Sequence, residues 1–181
     1  MPLTVEVDPG THTIRIERDG YFTIQFDVTV EAGKTYNISR TLIPENAFTI
    51  VSITSTPTEP AEGEEVTLTV TVRNNTGQAR DCKVSITQPD LDFSQEVTIP
   101  NVLPGAPGLG TVKFAAPASG RYDFKVKAMV YVEEHVDGAG WYVTDEKTFT
   151  LEVSPKKATI VITTTPPGAR IFVDGNFVGT S

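Results

Sequence analysis

The residues that most often carry chemistry are scarce in this chain. Its 181 residues include one cysteine and two histidines. Cys82 alone excludes an internal disulfide and leaves the compartment undetermined. Together with His12 and His135 it supplies too few nitrogen and sulfur donors for a transition-metal site. We therefore predict no cofactor and no catalytic residue, since enzymes need several polar groups that converge.

Long apolar runs and basic clusters are also missing. No stretch approaches the ~20 apolar residues that a membrane helix needs, so we predict no membrane insertion. The formal net charge of −8 argues against nucleic acid as a partner, because two negative surfaces repel each other. The N-terminal residues lack the basic and apolar regions of a signal peptide, so we expect a secreted parent to carry its targeting signal elsewhere.

Alternation of apolar and polar residues with a period of two dominates the sequence. It runs without a break through residues 22–30 and 66–72, and a third run places six apolar residues on one face: Tyr122, Phe124, Val126, Ala128, Val130 and Val132. Successive side chains on a strand point to opposite faces, so each run predicts a strand with one buried face. Asp-Gly and Ala-Gly dipeptides separate the runs and predict turns. The chain is therefore predicted to be all-β.

Two proline-bearing junctions, at Pro44 and Pro155, divide the chain into three segments. The middle segment, 48–153, has the turn spacing of a β-sandwich. We predict about four strands in the first segment, 2–43, and a third segment over 158–181. The strands predicted for the middle segment are 48–54, 65–73, 81–88, 94–99, 109–115, 121–134 and 141–153.

The two ends resemble complementary halves of one small domain. The tail 158–181 contains Pro167-Gly168-Ala169-Arg170, a following Asp-Gly hairpin and then Gly-Thr, and it resembles the opening half of a PEGA domain. Segment 2–43, with Pro9-Gly10-Thr11-His12, resembles the closing half. The sequence obtained by joining Ser181 to Pro2 resembles one uninterrupted PEGA domain. The resemblance implies one period of a tandem array that is opened inside a PEGA unit.

The middle segment resembles a different surface module. Residues 69–77, Thr-Val-Thr-Val-Arg-Asn-Asn-Thr-Gly, are similar to the second strand and turn of a CARDB-type or fibronectin-like adhesion domain. The two resemblances imply an Ig-like β-sandwich flanked by two halves of a PEGA domain. They also imply a non-catalytic structural module of an extracellular or cell-surface repeat protein.

Half a sheet leaves unpaired backbone N–H and C=O groups along its edge. We therefore expect chains to associate head to tail, with 158–181 of one copy complementing 2–43 of the next. The partner is then another copy or a neighbouring repeat, in a filament, stalk or S-layer-like array. The expected contact residues are the apolar residues of both ends: Leu3, Val5, Val7, Ile14, Ile16, Ile160, Ile162, Ile171, Val173 and Phe177.

An alternative function is adhesion to a cell-surface polysaccharide. Tyr131, Trp141 and Tyr142 lie near one predicted hairpin and could stack on sugar rings. The competing interpretation packs Trp141 into the core and leaves both tyrosines on the wet face.

Three further expectations concern single residues. Asn37 and Asn74 each begin a glycosylation acceptor pattern, and Asn74 is the better candidate because it falls in a predicted turn. Cys82 should face inward, because it shares a strand face with Val84 and Ile86. The acidic hairpin tip around His135 is expected to be a solvated loop. Calcium is an ion that carboxylates of this chain could hold, at Asp90 and Asp92 or at Glu133, Glu134, Asp137 and Asp145, but no EF-hand spacing is present and we predict no metal site.

Overall fold

The structure, a computed structural model, describes residues 3–181; Pro2, with which the predicted first segment begins, lies outside this range. Strands dominate the described residues, whose one helical element is the short 3₁₀ turn Pro89–Leu91. This confirms the all-β prediction. The eleven strands are β1 Gly10–Ile16, β2 Ile24–Val30, β3 Phe48–Thr56, β4 Glu65–Asn74, β5 Arg80–Gln88, β6 Phe93–Val102, β7 Pro107–Ala115, β8 Gly120–Val132, β9 Gly140–Val153, β10 Arg170–Val173 and β11 Asn176–Thr180.

Strands β3 to β9 form a two-layered antiparallel sandwich. One sheet has the order β3-β4-β7, and the other has the order β6-β5-β8-β9. Strand β6 pairs with β5, so β6 belongs to the sheet that also holds β8 and β9. Immunoglobulin constant domains place their fourth strand in the opposite sheet. The predicted Ig-like β-sandwich is confirmed. Its strand order differs from that of the constant-type domain in the sheet to which this fourth strand belongs.

The core lies between the two sheets and is built from the inward residue of each alternating pair. Phe124 is fully buried, with its ring centroid 5.5 Å from those of both Phe93 and Phe114. Burying a side chain of this size contributes roughly 1.5–3 kcal/mol. Cys82 is fully buried beside Val84, as the alternation predicted. The other large buried side chains are Phe48, Ile50, Leu68, Ile86 and Leu151.

Two glycines let β7 approach the side chains of β6 closely. A Cβ atom at Gly108 would lie 2.7 Å from Cγ2 of Val102, and one at Gly110 would lie 2.9 Å from Cγ1 of Val97. Real Cβ atoms essentially never approach another heavy atom so closely. Glycine is therefore required here for space between the sheets.

The outer edge of β3 is closed by side chains from β9. The Ile50 N–H donates to Oδ2 of Asp145 at 2.7 Å, and the Phe48 carbonyl accepts from Oγ1 of Thr144 at 3.0 Å. Thr144 is the extra residue of a bulge in β9, opposite the Ala128–Met129 step of β8. A bulge of one residue exchanges the faces of every side chain beyond it.

The terminal segments contain fewer strands than predicted. Within residues 3–43 the structure shows β1 and β2 alone, so the expectation of about four strands there is wrong. The alternating residues 3–8 and 34–42 adopt no regular structure, and neither do 158–164 in the tail. A strand needs a neighbour that pairs with its backbone, and these segments have none among the described residues.

Candidate functional site

The apolar residues predicted for the subunit contact are largely on the surface. Leu3 is 88% exposed and Ile160 is 73% exposed, whereas the apolar core residues are at most 8% exposed. Ile14, Ile16 and Ile171 are instead half-buried. Ile16 packs on the edge of the sandwich core. The remaining predicted contact residues are exposed: Val5, Val7, Ile162, Val173 and Phe177.

The β1–β2 sheet has one capped edge and one open edge. The loop between β8 and β9 caps the start of β2: the Gln25 N–H donates to the Glu134 carbonyl at 2.8 Å, and the Val136 N–H donates to the Thr23 carbonyl at 3.1 Å. The outer edge of β1 pairs with no strand in residues 3–181. An open edge of seven residues is a template for another strand.

An aromatic stack fastens the first segment to the sandwich. The His135 ring stacks on Tyr142 with centroids 3.8 Å apart, and the Phe22 ring meets it edge-on at 5.8 Å. The His135 side chain is only 11% exposed. The expectation that it lies in a solvated loop is wrong, because Phe22 from a distant part of the chain covers it. Sequence spacing gives no signal for such a contact.

A bidentate ion pair adds to this attachment. Nε and Nη2 of Arg40 donate to the two carboxylate oxygens of Glu134, at 2.6 and 3.0 Å. The guanidinium carbon also lies 4.2 Å from the ring centroid of Phe26. The hydrogen bond to Glu134 raises the pKa of Arg40. We call the contacts of Phe22, Thr23–Gln25 and Arg40 with Glu134–Val136 and Tyr142 the junction.

The three aromatics of the predicted sugar platform do not share one surface. Trp141 pairs with Tyr131 on the outer face, with ring centroids 5.6 Å apart. Tyr142 pairs with the buried Val130 and packs against the core. The competing interpretation is right for Tyr131, which is exposed, but wrong for Trp141, which faces outward, and for Tyr142, which packs against the core. The bulge at Thr144 explains both errors, since it reverses the faces along β9.

The position of Asn74 argues against the predicted glycan there. The residue is fully buried, and its Nδ2 donates to the carbonyls of Gln78 and Val102 at 2.8 and 2.7 Å. Its Oδ1 accepts from the backbone N–H of Thr76 at 2.8 Å. The acceptor pattern here is a turn whose asparagine and threonine bind each other. Asn37 is exposed, and its glycosylation stays a prediction.

The acidic residues considered for calcium are engaged separately. Glu134 pairs with Arg40, while Asp145 accepts from the β3 backbone. Among residues 3–181, no three His, Cys, Asp or Glu side chains converge on a position where they could hold a metal ion.

This geometry defines an Ig-like β-sandwich to which a small two-stranded sheet is attached. The CARDB family model matches residues 45–137, about half of the chain, and the chain belongs to the CARDB family. The PEGA domain model matches residues 1–46, which places the PEGA segment at the N-terminal side as predicted. No curated protein matches this chain in sequence. Strand β9 lies beyond the CARDB match and completes the four-stranded sheet.

Both matching families are non-catalytic surface domains. The chain is accordingly an extracellular or cell-surface domain of the structural or adhesion type. In the part of the chain that the structure describes, no helix has the length and apolarity to cross a membrane.

Proposed function

We propose that this chain is a non-catalytic assembly module that polymerises head to tail by strand complementation. The tail 158–181 of one copy would complete the small sheet begun by residues 3–43 of the next. One observation carries this proposal. Within the described residues, both ends keep alternating apolar segments without a strand partner, whereas the same pattern between them lies in strands that each pair with at least one other strand.

Burial of these side chains is large enough to drive association. Complete burial of a Val, Leu or Ile side chain contributes about 1.5–3 kcal/mol, and association costs roughly 4–15 kcal/mol. The two ends expose enough such side chains to offset that cost: Leu3, Val5, Val7, Tyr36, Ile38, Ile160, Val161, Ile162, Phe172, Phe177 and Val178.

The formal charges of the two ends favour the same pairing. Residues 3–43 contain six carboxylates and four cationic side chains, a net charge of −2. Residues 155–181 contain three cationic side chains and one carboxylate, a net charge of +2. Opposite charges attract at long range, so two copies approach more readily end to end than side to side. Such contacts are heterologous and continue into a fibre unless the rotation closes a ring.

Sedimentation of the whole chain over a range of concentrations tests the proposal. We expect the average mass to rise with concentration. The double variant Ile160→Asp/Ile162→Asp should stay monomeric, because each carboxylate would have to be buried in the contact. Leu109→Asp is the matched control, since Leu109 is 65% exposed on the sandwich and should not affect assembly. A strict monomer whose two ends both resist proteolysis would refute the proposal and indicate closure within one chain.

A second candidate function is weak binding of a neutral cell-surface polysaccharide at Trp141. The ring lies on the outer face beside Tyr131, and Nζ of Lys83 is 5.0 Å from its centroid. The same Nζ is 3.1 Å from Oε2 of Glu96, so a donor and an acceptor flank an aromatic surface. The net charge of −8 disfavours acidic glycans.

Polysaccharide pull-down tests this second function. Trp141→Ala should abolish retention, and Leu109→Ala, on the opposite sheet, should not. Equal retention of both variants would exclude the Trp141 surface as the binding site.

A further inference from the structure

The backbone groups that face the open edge of β1 can be identified. In an antiparallel pair, alternate residues direct their N–H and C=O groups toward the partner strand and away from it. The Gln25 N–H bonds the Glu134 carbonyl, so it points away from β1. Its cross-strand partner is Arg15. By alternation, the backbone groups of Thr11, Thr13 and Arg15 face the open edge.

The opposite edge of this sheet is less available. The loop residues 134–136 pair with Thr23–Gln25, and Arg40 lies over the Phe26 ring. A strand arriving on the β2 side would meet the sandwich along the first half of β2. On the β1 side, the exposed Thr11, Thr13 and Arg15 meet no other strand of residues 3–181.

The tail holds a preformed unit of suitable size. Strands β10 and β11 pair antiparallel as a hairpin of four and five residues, against seven in β1. The backbone pairing extends past the strands, since the Gly168 N–H donates to the Ser181 carbonyl at 2.6 Å. Phe172 and Phe177 are each 52% exposed. An added hairpin brings its own internal hydrogen bonds, so it has less ordering entropy to lose than a single strand.

We infer that the β10–β11 hairpin of a second copy adds to the outer edge of β1 and extends the two-stranded sheet to four strands. The inference rests on the proposed function and assigns the edge at which assembly occurs. Because the junction covers the start of β2, the β2 edge of the sheet stays attached to its own sandwich, and the β1 edge binds the next copy. The sheet therefore has a fixed polarity, and this polarity sets the direction of growth.

Thr13 and Asp27 provide a matched test of the edge. They are cross-strand partners, both are exposed, and Oγ1 of Thr13 donates to Oδ1 of Asp27 at 2.7 Å. Proline at either position loses that bond and removes one outward N–H, at the β1 edge for Thr13 and at the β2 edge for Asp27. We expect Thr13→Pro to weaken self-association by about tenfold or more and Asp27→Pro to leave it within about twofold.

Amide hydrogen exchange of the unmodified chain gives a second readout that needs no variant. On assembly, exchange at Thr11, Thr13 and Arg15 should slow, while exchange at Asp27 and Thr29 should not. This measurement decides the edge even if proline disrupts β1. Slowing at Asp27 and Thr29, or assembly lost in Asp27→Pro and kept in Thr13→Pro, would overturn the edge assignment and leave the proposed assembly standing. An unmodified chain that never associates would overturn both.

Discussion

The sandwich and the two ends carry the same amphipathic pattern with different structural outcomes. Residues 66–72 alternate as regularly as residues 3–7, yet the former lie in the central strand of a sheet and the latter in no strand. Val66, Leu68, Val70 and Val72 are buried because β4 pairs with β3 and β7 in a sheet whose inner face packs against the other sheet. The difference shows that alternation marks a segment able to enter a sheet, whereas entry depends on an available neighbouring edge.

The largest expected effect comes from opening the sandwich core. Phe124→Ala should lower the free energy of unfolding by about 3–5 kcal/mol, because it removes a fully buried ring that packs against Phe93 and Phe114. Urea denaturation followed by tryptophan fluorescence measures this, with Trp141 as the single reporter. Phe177→Ala, in the exposed tail, should leave the unfolding of the monomer unchanged. Equal destabilisation by both would mean that the ends pack like the core.

Overpacking the space between β6 and β7 should have the next largest effect. Gly110→Ala places a Cβ 2.9 Å from Val97 and 3.1 Å from Ile99, which should cost about 1–3 kcal/mol. Gly77→Ala is the control, because a Cβ there meets nothing within 4 Å. Thermal unfolding of the two variants should differ clearly. Similar midpoints would indicate that β7 can shift away from β6 without loss.

A local effect is expected at the junction. Glu134→Gln removes the charge opposite Arg40, so hydrogen exchange at Gln25 should accelerate while the unfolding midpoint of the sandwich stays almost constant. Glu146→Gln, which affects a surface pair 3.4 Å from Lys127, should change neither. An unchanged Gln25 exchange rate in Glu134→Gln would show that the aromatic stack alone holds the segment.

The smallest expected effect near neutral pH is on the reactivity of Cys82 toward thiol reagents. Burial raises the pKa of its thiol to about 12, so the folded protein should resist thiol reagents at pH 8 and react once denatured. Ser94→Cys in a Cys82→Ala background is the control, since residue 94 is exposed and should react at once. Fast labelling of the folded wild-type chain would contradict the inward placement.

The raised thiol pKa also has a stability consequence at alkaline pH. Above about pH 9 the unfolded chain loses the thiol proton while the folded chain keeps it, so the folded state binds more protons. The free energy of unfolding should therefore fall as pH rises from about 9 toward about 12. The Cys82→Ala variant should lose this part of the pH dependence, as urea titrations at several pH values would show.

The sequence predicted properties that depend on one strand at a time. Cys82 faces inward because its neighbours at every second position are apolar, and the seven strands of the sandwich follow from the same local rule. The errors arose where a distant part of the chain decides the outcome. His135 is covered by Phe22, more than a hundred residues earlier in the sequence. Asn74 is buried because its amide binds the end of β6 at Val102.

The predictions for the aromatic residues of β9 were wrong for a different reason. Alternation assigns Trp141 to the same face as Leu151, and this holds only for a strand without irregularities. The bulge at Thr144 inserts one residue, which turns Trp141 outward and Tyr142 inward. Its position is set by the hydrogen bonds of Thr144 and Asp145 to β3, a contact between the two sheets that local periodicity does not encode.

The junction joins residues on both sides of the boundary between the two family matches. The PEGA and CARDB matches meet at residues 45–46, yet the loop residues 134–136 pair with Thr23–Gln25 on the other side of that boundary. A sandwich recombined at Pro44 with a foreign neighbour would uncover the aromatic faces of His135 and Tyr142. We therefore expect domain shuffling to transfer residues 22–153 together as one unit. Within that unit, the linker at Pro44 is an internal turn.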